Sequence, residues 1–98
     1  MCGIVCVAKP SSITLKDVAQ GVQSLYTRGP DDSCVKQVGN VIMGFSRLAI
    51  NGTDDLSNQP FEIKGTYAVC NGEIFNHKIL EKDLKYSPYS GSDCEVII

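Results

Sequence analysis

Cys2-Gly3-Ile4-Val5-Cys6-Val7-Ala8 is the segment on which the fold turns. It is a short apolar run closed by Pro10-Ser11-Ser12, a length and boundary that suit a strand. Both of its faces, Cys2/Ile4/Cys6/Ala8 and Gly3/Val5/Val7, are apolar. A strand dry on both sides lies between two layers, as in the middle of a sandwich.

From Thr14 onward the period changes. Leu15, Val18, Ala19, Val22, Leu25 and Tyr26 recur at helical spacing, with Lys16, Asp17, Gln20 and Gln23 on the opposite face. Thr14 or Ser12 can cap the start, and Gly29-Pro30 predicts a stop by Arg28. Ser33 to Val38 and Val41 to Leu48 flank Gly39-Asn40, a pair that supplies the positive φ of a tight hairpin turn. Asn51 to Pro60 reads as loop. Phe61 to Ile63 and Thr66 to Cys70 flank Lys64-Gly65 as a second hairpin, closed by Asn71-Gly72. Phe75 to Leu84 predicts a modest helix, and Tyr86 to Gly91 a loop.

Composition excludes several classes. With 98 residues there is room for one domain at most. Apolar residues make up 43% of the chain and charged ones 20%, which is globular and not disordered. Nine Lys and Arg against 11 Asp and Glu give a net charge of −2, so no basic stripe marks a nucleic-acid or anionic-membrane binder. No apolar run approaches the roughly 18 residues of a membrane span. No basic segment precedes a hydrophobic one at the N-terminus, so the expectation is a soluble cytoplasmic protein. The five cysteines (Cys2, Cys6, Cys34, Cys70, Cys94) are an odd number without a signal peptide, which argues for reduced thiols. With no C-x-x-C and His77 as the only histidine, zinc spacing is absent and no metal site is expected. Most of these cysteines are expected to fill core positions.

Ser92-Asp93-Cys94-Glu95 has the S-x-x-E form of a capping box, followed at once by Val96-Ile97-Ile98. One helical turn has little stability of its own. The expectation is a chain that forms the front part of a longer protein.

Few residues could carry chemistry. Removal of Met1 would give Cys2 a free α-amine, which titrates near pH ~7.7–8.0 in model compounds. Thiol and base would then share one residue, an activated N-terminal nucleophile; otherwise Cys2 simply begins a buried strand. Arg47 shares a strand face with Val41, Met43 and Phe45. Its guanidinium is either a snorkelling edge group or a fork for a carboxylate. Asn71-Gly72 is a turn, or two donors converging on one oxyanion. Asp93 is a helix-start acid, or the counter-charge of an ammonium ligand.

Read together, six ordered segments resolve these alternatives. Met1-Cys2-Gly3-Ile4, Arg28-Gly29-Pro30-Asp31, Arg47-Leu48-Ala49-Ile50, Gln59-Pro60, Asn71-Gly72-Glu73-Ile74-Phe75-Asn76 and Ser92-Asp93-Cys94-Glu95-Val96-Ile97 resemble class II glutamine amidotransferases, the N-terminal-nucleophile glutaminases. Arg-Gly-Pro-Asp, Arg-Leu-Ala-Ile and Asn-Gly-Glu-Ile-Phe-Asn look most like the branch found in glutamine-hydrolysing asparagine synthetases.

The resemblance implies an α+β fold, an αββα sandwich with antiparallel sheets. Residues 1–98 would be the N-terminal part, about half, of the glutaminase domain, with the synthetase domain absent. Uncovered apolar surface would then favour association between copies as a homo-oligomer, and weak or no turnover by this chain alone.

The resemblance also implies roles. Cys2 is the nucleophile, and Asn71 and Gly72 stabilise the oxyanion. Arg47 binds the α-carboxylate of L-glutamine, Asp93 with Glu73 holds the α-ammonium, and backbone at Ile50 and Asn51 lines the pocket. No cofactor is implied in this chain. ATP and Mg²⁺ belong to the synthetase domain, which accepts ammonia in cis or in trans, aspartate being the acceptor in the asparagine branch. The other reading is a relic that binds glutamine or a partner without hydrolysis; nothing in the spacing favours a redox or metal protein. Thr27, Phe45-Ser46 and Asn51-Gly52 depart from the family pattern.

Overall fold

The computed structural model describes residues 1–8 and 11–98, so the expected strand boundary at Pro10 lies outside the described residues. In order, the elements are β1 (Gly3–Ala8), α1 (Leu15–Ser24), β2 (Asp32–Val38), β3 (Val41–Arg47), β4 (Phe61–Ile63), β5 (Thr66–Ala68) and α2 (His77–Asp83). Short 3₁₀ turns cover Asp55–Ser57 and Asp93–Ile97. The result is a small α+β domain with antiparallel sheets and two helices.

β2 and β3 form the expected hairpin, with Gly39 at φ +54 in its turn and register running from Val38↔Val41 to Asp32↔Arg47. β1 pairs antiparallel with the other side of β3, Gly3 opposite Ser46 and Ala8 opposite Val41. β3 is therefore central in a sheet of order β1-β3-β2. One face of this sheet packs on α1, where Val18, Val22 and Ile42 form the buried core with Val5, Val7 and Val35 around them. α1 starts on a reciprocal cap. The Asp17 N–H donates to the Thr14 hydroxyl at 3.2 Å, and the Thr14 N–H donates to the Asp17 carboxylate at 2.7 Å. The regular helix ends at Ser24, short of the expected Arg28. The Leu25 carbonyl then accepts from both Arg28 N–H (2.9 Å) and Gly29 N–H (3.2 Å), loosening the last turn.

β1 is not dry on both sides. Only its Gly3/Val5/Val7 face is covered, whereas Ile4 is 43% exposed and Cys6 and Ala8 face solvent. The reason is position: β1 is an edge strand, and the separate β4–β5 hairpin is tied to β2 at the other edge. There Lys36 pairs with Glu62 and sits 4.8 Å over the Tyr67 ring. The cysteine expectation also needs correction, since only Cys94 is buried. Cys2 and Cys70 are half-buried, and Cys6 and Cys34 are exposed.

α2 is shorter than the expected 75–84, and Phe75 lies outside it, 89% exposed. The segment after Ser92 is a 3₁₀ turn, and its capping box is half made. Ser92 Oγ accepts from the Cys94 N–H (3.3 Å), but the Glu95 carboxylate does not return to Ser92. It accepts instead from the Tyr86 and Ser90 hydroxyls and from the N–H groups of Tyr89 and Ser90, both at 2.7 Å. Four donors outcompete the single amide that a capping box offers. No helix among the described residues is long and apolar enough to cross a membrane.

Candidate active site

The start of β1, the end of β3 and the segments after β5 and around Asp93 meet at one cavity of about 380 Å³. That volume falls within the ~300–1,000 Å³ of small-molecule sites. Cys2, Arg47, Ile50 and Asn51 line it from one side of the sequence, and Asn71, Gly72, Glu73 and Asp93 from the other. Every residue singled out from the sequence is thus brought to a single place.

Cys2 is held just before β1. The Leu48 N–H donates to its Sγ at 3.3 Å, the thiol faces the Leu48 carbonyl at 3.6 Å, and Arg28 Nε donates to its carbonyl at 3.3 Å. Met1, beside it, is 72% exposed.

Arg47 ends β3 on the same face as Met43 and Phe45 and is 5% exposed. The 52–58 loop wraps its guanidinium. Nη1 donates to the Asp54 carbonyl (3.0 Å) and to Asn58 Oδ1, and Nη2 to the Gly52 carbonyl. Three of five N–H groups are thereby used, leaving a cationic edge for an anion. Gly52 has φ +61, and a Cβ there would overlap Ser57 Oγ and lie 2.7 Å from the Gly91 backbone. The conformation of this glycine lets its carbonyl reach Arg47. Asp54 braces the same loop, accepting from the Ser57 N–H (2.8 Å), the Ser57 hydroxyl (2.9 Å) and the Gly91 N–H (3.3 Å). The Ser57 hydroxyl bond, ahead of the backbone ones, holds the Asp54 carboxyl below its ordinary range.

The 70–74 segment is pinned at alternate residues. The Cys70 N–H donates to Gln59 Oε1 (2.6 Å), the Gly72 carbonyl accepts from Cys94 Sγ (3.3 Å), and the Ile74 N–H donates to Asp93 Oδ2 (2.6 Å). Asn71 lies between the first two anchors, and Gly72 is itself the middle one. Asp93 is 8% exposed. Glu73 accepts from Asn51 Nδ2 at 3.3 Å, linking the two sides of the cavity. Burial first, then a hydrogen bond with Cys70, pushes the Cys94 thiol up to about 12, so it stays protonated and serves as a donor.

Several residues acquire tasks that the sequence did not assign. Arg28-Gly29-Pro30-Asp31 is a brace. Asp31 accepts from the Ala49 N–H (2.7 Å), its own N–H donates to the Arg47 carbonyl (2.9 Å), and a Cβ on Gly29 would overlap the Ser46 carbonyl. Asn58 relays Asp32 to Arg47 through its Nδ2, 2.7 Å from Asp32 Oδ2. The sequence signal is Arg28-Gly29-Pro30-Asp31 itself, whose glycine marks a close backbone approach. Among the described residues no three His, Cys, Asp or Glu side chains are grouped to hold a metal ion.

A family described as glutamine amidotransferase domain matches residues 1–98. A probable glutamine-hydrolyzing asparagine synthetase of Acanthamoeba polyphaga mimivirus is 35% identical, over 100% of this chain and 19% of its own length. The glutamine-hydrolyzing asparagine synthetase of Brassica oleracea is 39% identical over 99% of this chain and 17% of its own. Glutamine-hydrolyzing asparagine synthetase 1 of Arabidopsis thaliana is 38% identical over 99% and 18%. The chain spans less than a fifth of the length of these curated relatives. Its match to the family model from end to end places it in the glutamine amidotransferase domain family.

Proposed function

We propose that this chain is the N-terminal part of a glutaminase that hydrolyses L-glutamine and passes the ammonia to an acceptor, as the glutamine-using portion of an asparagine synthetase. The observation that carries this reading is the convergence on one cavity of the Cys2 thiol, a buried guanidinium and a buried carboxylate. A free amino acid presents a carboxylate and an ammonium at one end and, in glutamine, an electrophilic amide at the other. Recognising both charges is what separates free glutamine from the side-chain amides of proteins.

Removal of Met1 frees the Cys2 α-amine. That amine accepts the thiol proton as sulfur attacks the side-chain amide carbon, and Asn71 and Gly72 donate to the oxyanion that forms. Collapse breaks the C–N bond, the ammonium form of the amine returns a proton to the nitrogen, and ammonia leaves a thioester on Cys2. Water hydrolyses the thioester to glutamate. Arg47 binds the α-carboxylate through paired N–H groups, and Asp93 with Glu73 holds the α-ammonium. These steps use only groups of the chain and water. ATP and Mg²⁺ belong to a synthetase domain, in cis or in trans, and no step passes through them here. The N-terminal-nucleophile sandwich, a cytoplasmic location and self-association are part of the same reading.

The test is hydrolysis of L-glutamine by the purified chain, followed as ammonia and glutamate, with intact mass read before and after 6-diazo-5-oxo-L-norleucine. Loss of Met1 and one adduct at Cys2, absent in Cys2→Ala, are expected. Retained Met1 with no adduct overturns the catalytic reading. Glutamine binding without ammonia release assigns the chain to the non-hydrolysing alternative.

A further inference from the structure

We propose that Gln59 is a substrate-contacting residue whose side-chain amide N–H₂ donates to the α-carboxylate of glutamine beside Arg47. This rests on the glutaminase reading. The β4–β5 ladder stops at Phe61↔Ala68. Pro60 intervenes and has no N–H to continue the ladder. The Gln59 side chain fills the gap, its Oε1 accepting from the Cys70 N–H at 2.6 Å.

That bond fixes which way the amide points. A glutamine amide has one acceptor oxygen and one donor nitrogen; with Oε1 committed to the strand, Nε2 is the atom left to act. Gln59 is 5% exposed, and no described residue accepts from Nε2. No side-chain nitrogen or oxygen is both sealed from solvent and unpaired among the described residues, so Nε2 borders open space. Gln59 lines the cavity that holds Cys2 and Arg47. It also borders, again together with Arg47 and Phe45, a separate hollow on the β2 side. Gln59 and Arg47 therefore form one wall. Loop 52–58 occupies three of the guanidinium's five N–H groups, so a carboxylate with two oxygens to satisfy has a place for another donor there.

Gln59→Glu isolates the donor. It keeps an oxygen for the Cys70 N–H and puts a carboxylate oxygen where Nε2 was. Its KM for L-glutamine should rise about tenfold or more relative to wild type, with kcat little changed, because the contact is made equally in ground and transition states. The KM ratio should shrink on acidification, when the introduced carboxyl takes up a proton and regains a donor. An unchanged KM overturns the proposal, and so does a fall in kcat alone, which would place Gln59 at the reacting carbonyl instead. Should Gln59→Glu fail to fold, Gln59→Met carries the test, with a raised KM expected and an unchanged one overturning. Wild-type protein that neither hydrolyses L-glutamine nor is alkylated at Cys2 overturns the glutaminase reading and this contact with it. An active wild type with an indifferent Gln59→Glu overturns the contact alone.

Discussion

The two halves of the chain are held together by different forces. The first, β1, α1, β2 and β3, closes around Val18, Val22 and Ile42, all at most 3% exposed, and owes its order to apolar burial. The second, from residue 48 onward, has short strands, a helix without a buried residue, and long connections. Its buried residues are mostly polar: beside Phe61 and Cys94 stand Ser57, Gln59, Ser92, Asp93 and Glu95, and Arg47 is inserted from the first half. Arg47, Gln59, Asp93 and Glu95 each make hydrogen bonds, and among the described residues no side-chain nitrogen or oxygen sealed from solvent lacks a partner. The apolar half supplies a platform. The polar half supplies a shaped site, because loops can be fixed by directional bonds where strands cannot reach.

The contrast breaks most sharply at Arg47. Arg47→Met keeps the stem packing but leaves the Gly52 and Asp54 carbonyls and Asn58 Oδ1 without their donor. At about 1–3 kcal/mol for each polar group left buried and unpaired, a loss of roughly 3 kcal/mol or more is expected in chemical denaturation, together with loss of glutamine binding.

Glu95→Leu comes next, with ~3 kcal/mol expected because four donors lose one carboxylate. Its pH dependence has a definite sign. Burial alone would raise the Glu95 carboxyl, but hydrogen bonds from the side chains of Ser90 and Tyr86 and the N–H groups of Tyr89 and Ser90 outweigh it and hold the group below its ordinary 4.5. The unfolded state thus binds the proton more readily. The stabilisation is complete above the ordinary value and is lost as pH falls through the lowered one. Denaturation curves of wild type should weaken on acidification, and those of Glu95→Gln should weaken less.

In the apolar half a comparable probe is gentler. Ile42→Val removes one buried methylene and should cost about 1 kcal/mol, with glutamine affinity unchanged. Smallest of all is Lys36→Met at the surface tie between β2 and β4, where no measurable shift in melting temperature is expected. A large loss at Lys36 would show that the hairpin depends on the platform more than the contrast allows.

The same division governs what was legible in the sequence. The hairpin turn at Gly39-Asn40, the face shared by Arg47, Met43 and Phe45, and the amphipathic helix from Leu15 are periodic signals, and each is found in place. The convergence of Cys2, Arg47, Asn71, Gly72, Glu73 and Asp93 was legible through the ordered motifs, which carry the residues without the distances. Side-chain bonds to distant backbone have no period. Nothing about Glu95 in Ser92-Asp93-Cys94-Glu95 announces that it serves Tyr86 through Ser90 and not Ser92. Nothing in Gln59-Pro60 announces Cys70. The misjudged outer face of β1 has another origin. Ile4, Cys6 and Ala8 are apolar by composition, and composition does not say which strand stands at the edge.

Arg28 grips the carbonyl of Cys2 while Leu48 grips its sulfur, and Met1 contributes little to either hold. Excision of Met1, which the proposed mechanism requires, would therefore leave Cys2 held at its carbonyl and its sulfur. On that reading the freed amine would emerge on a residue already fixed at two other points.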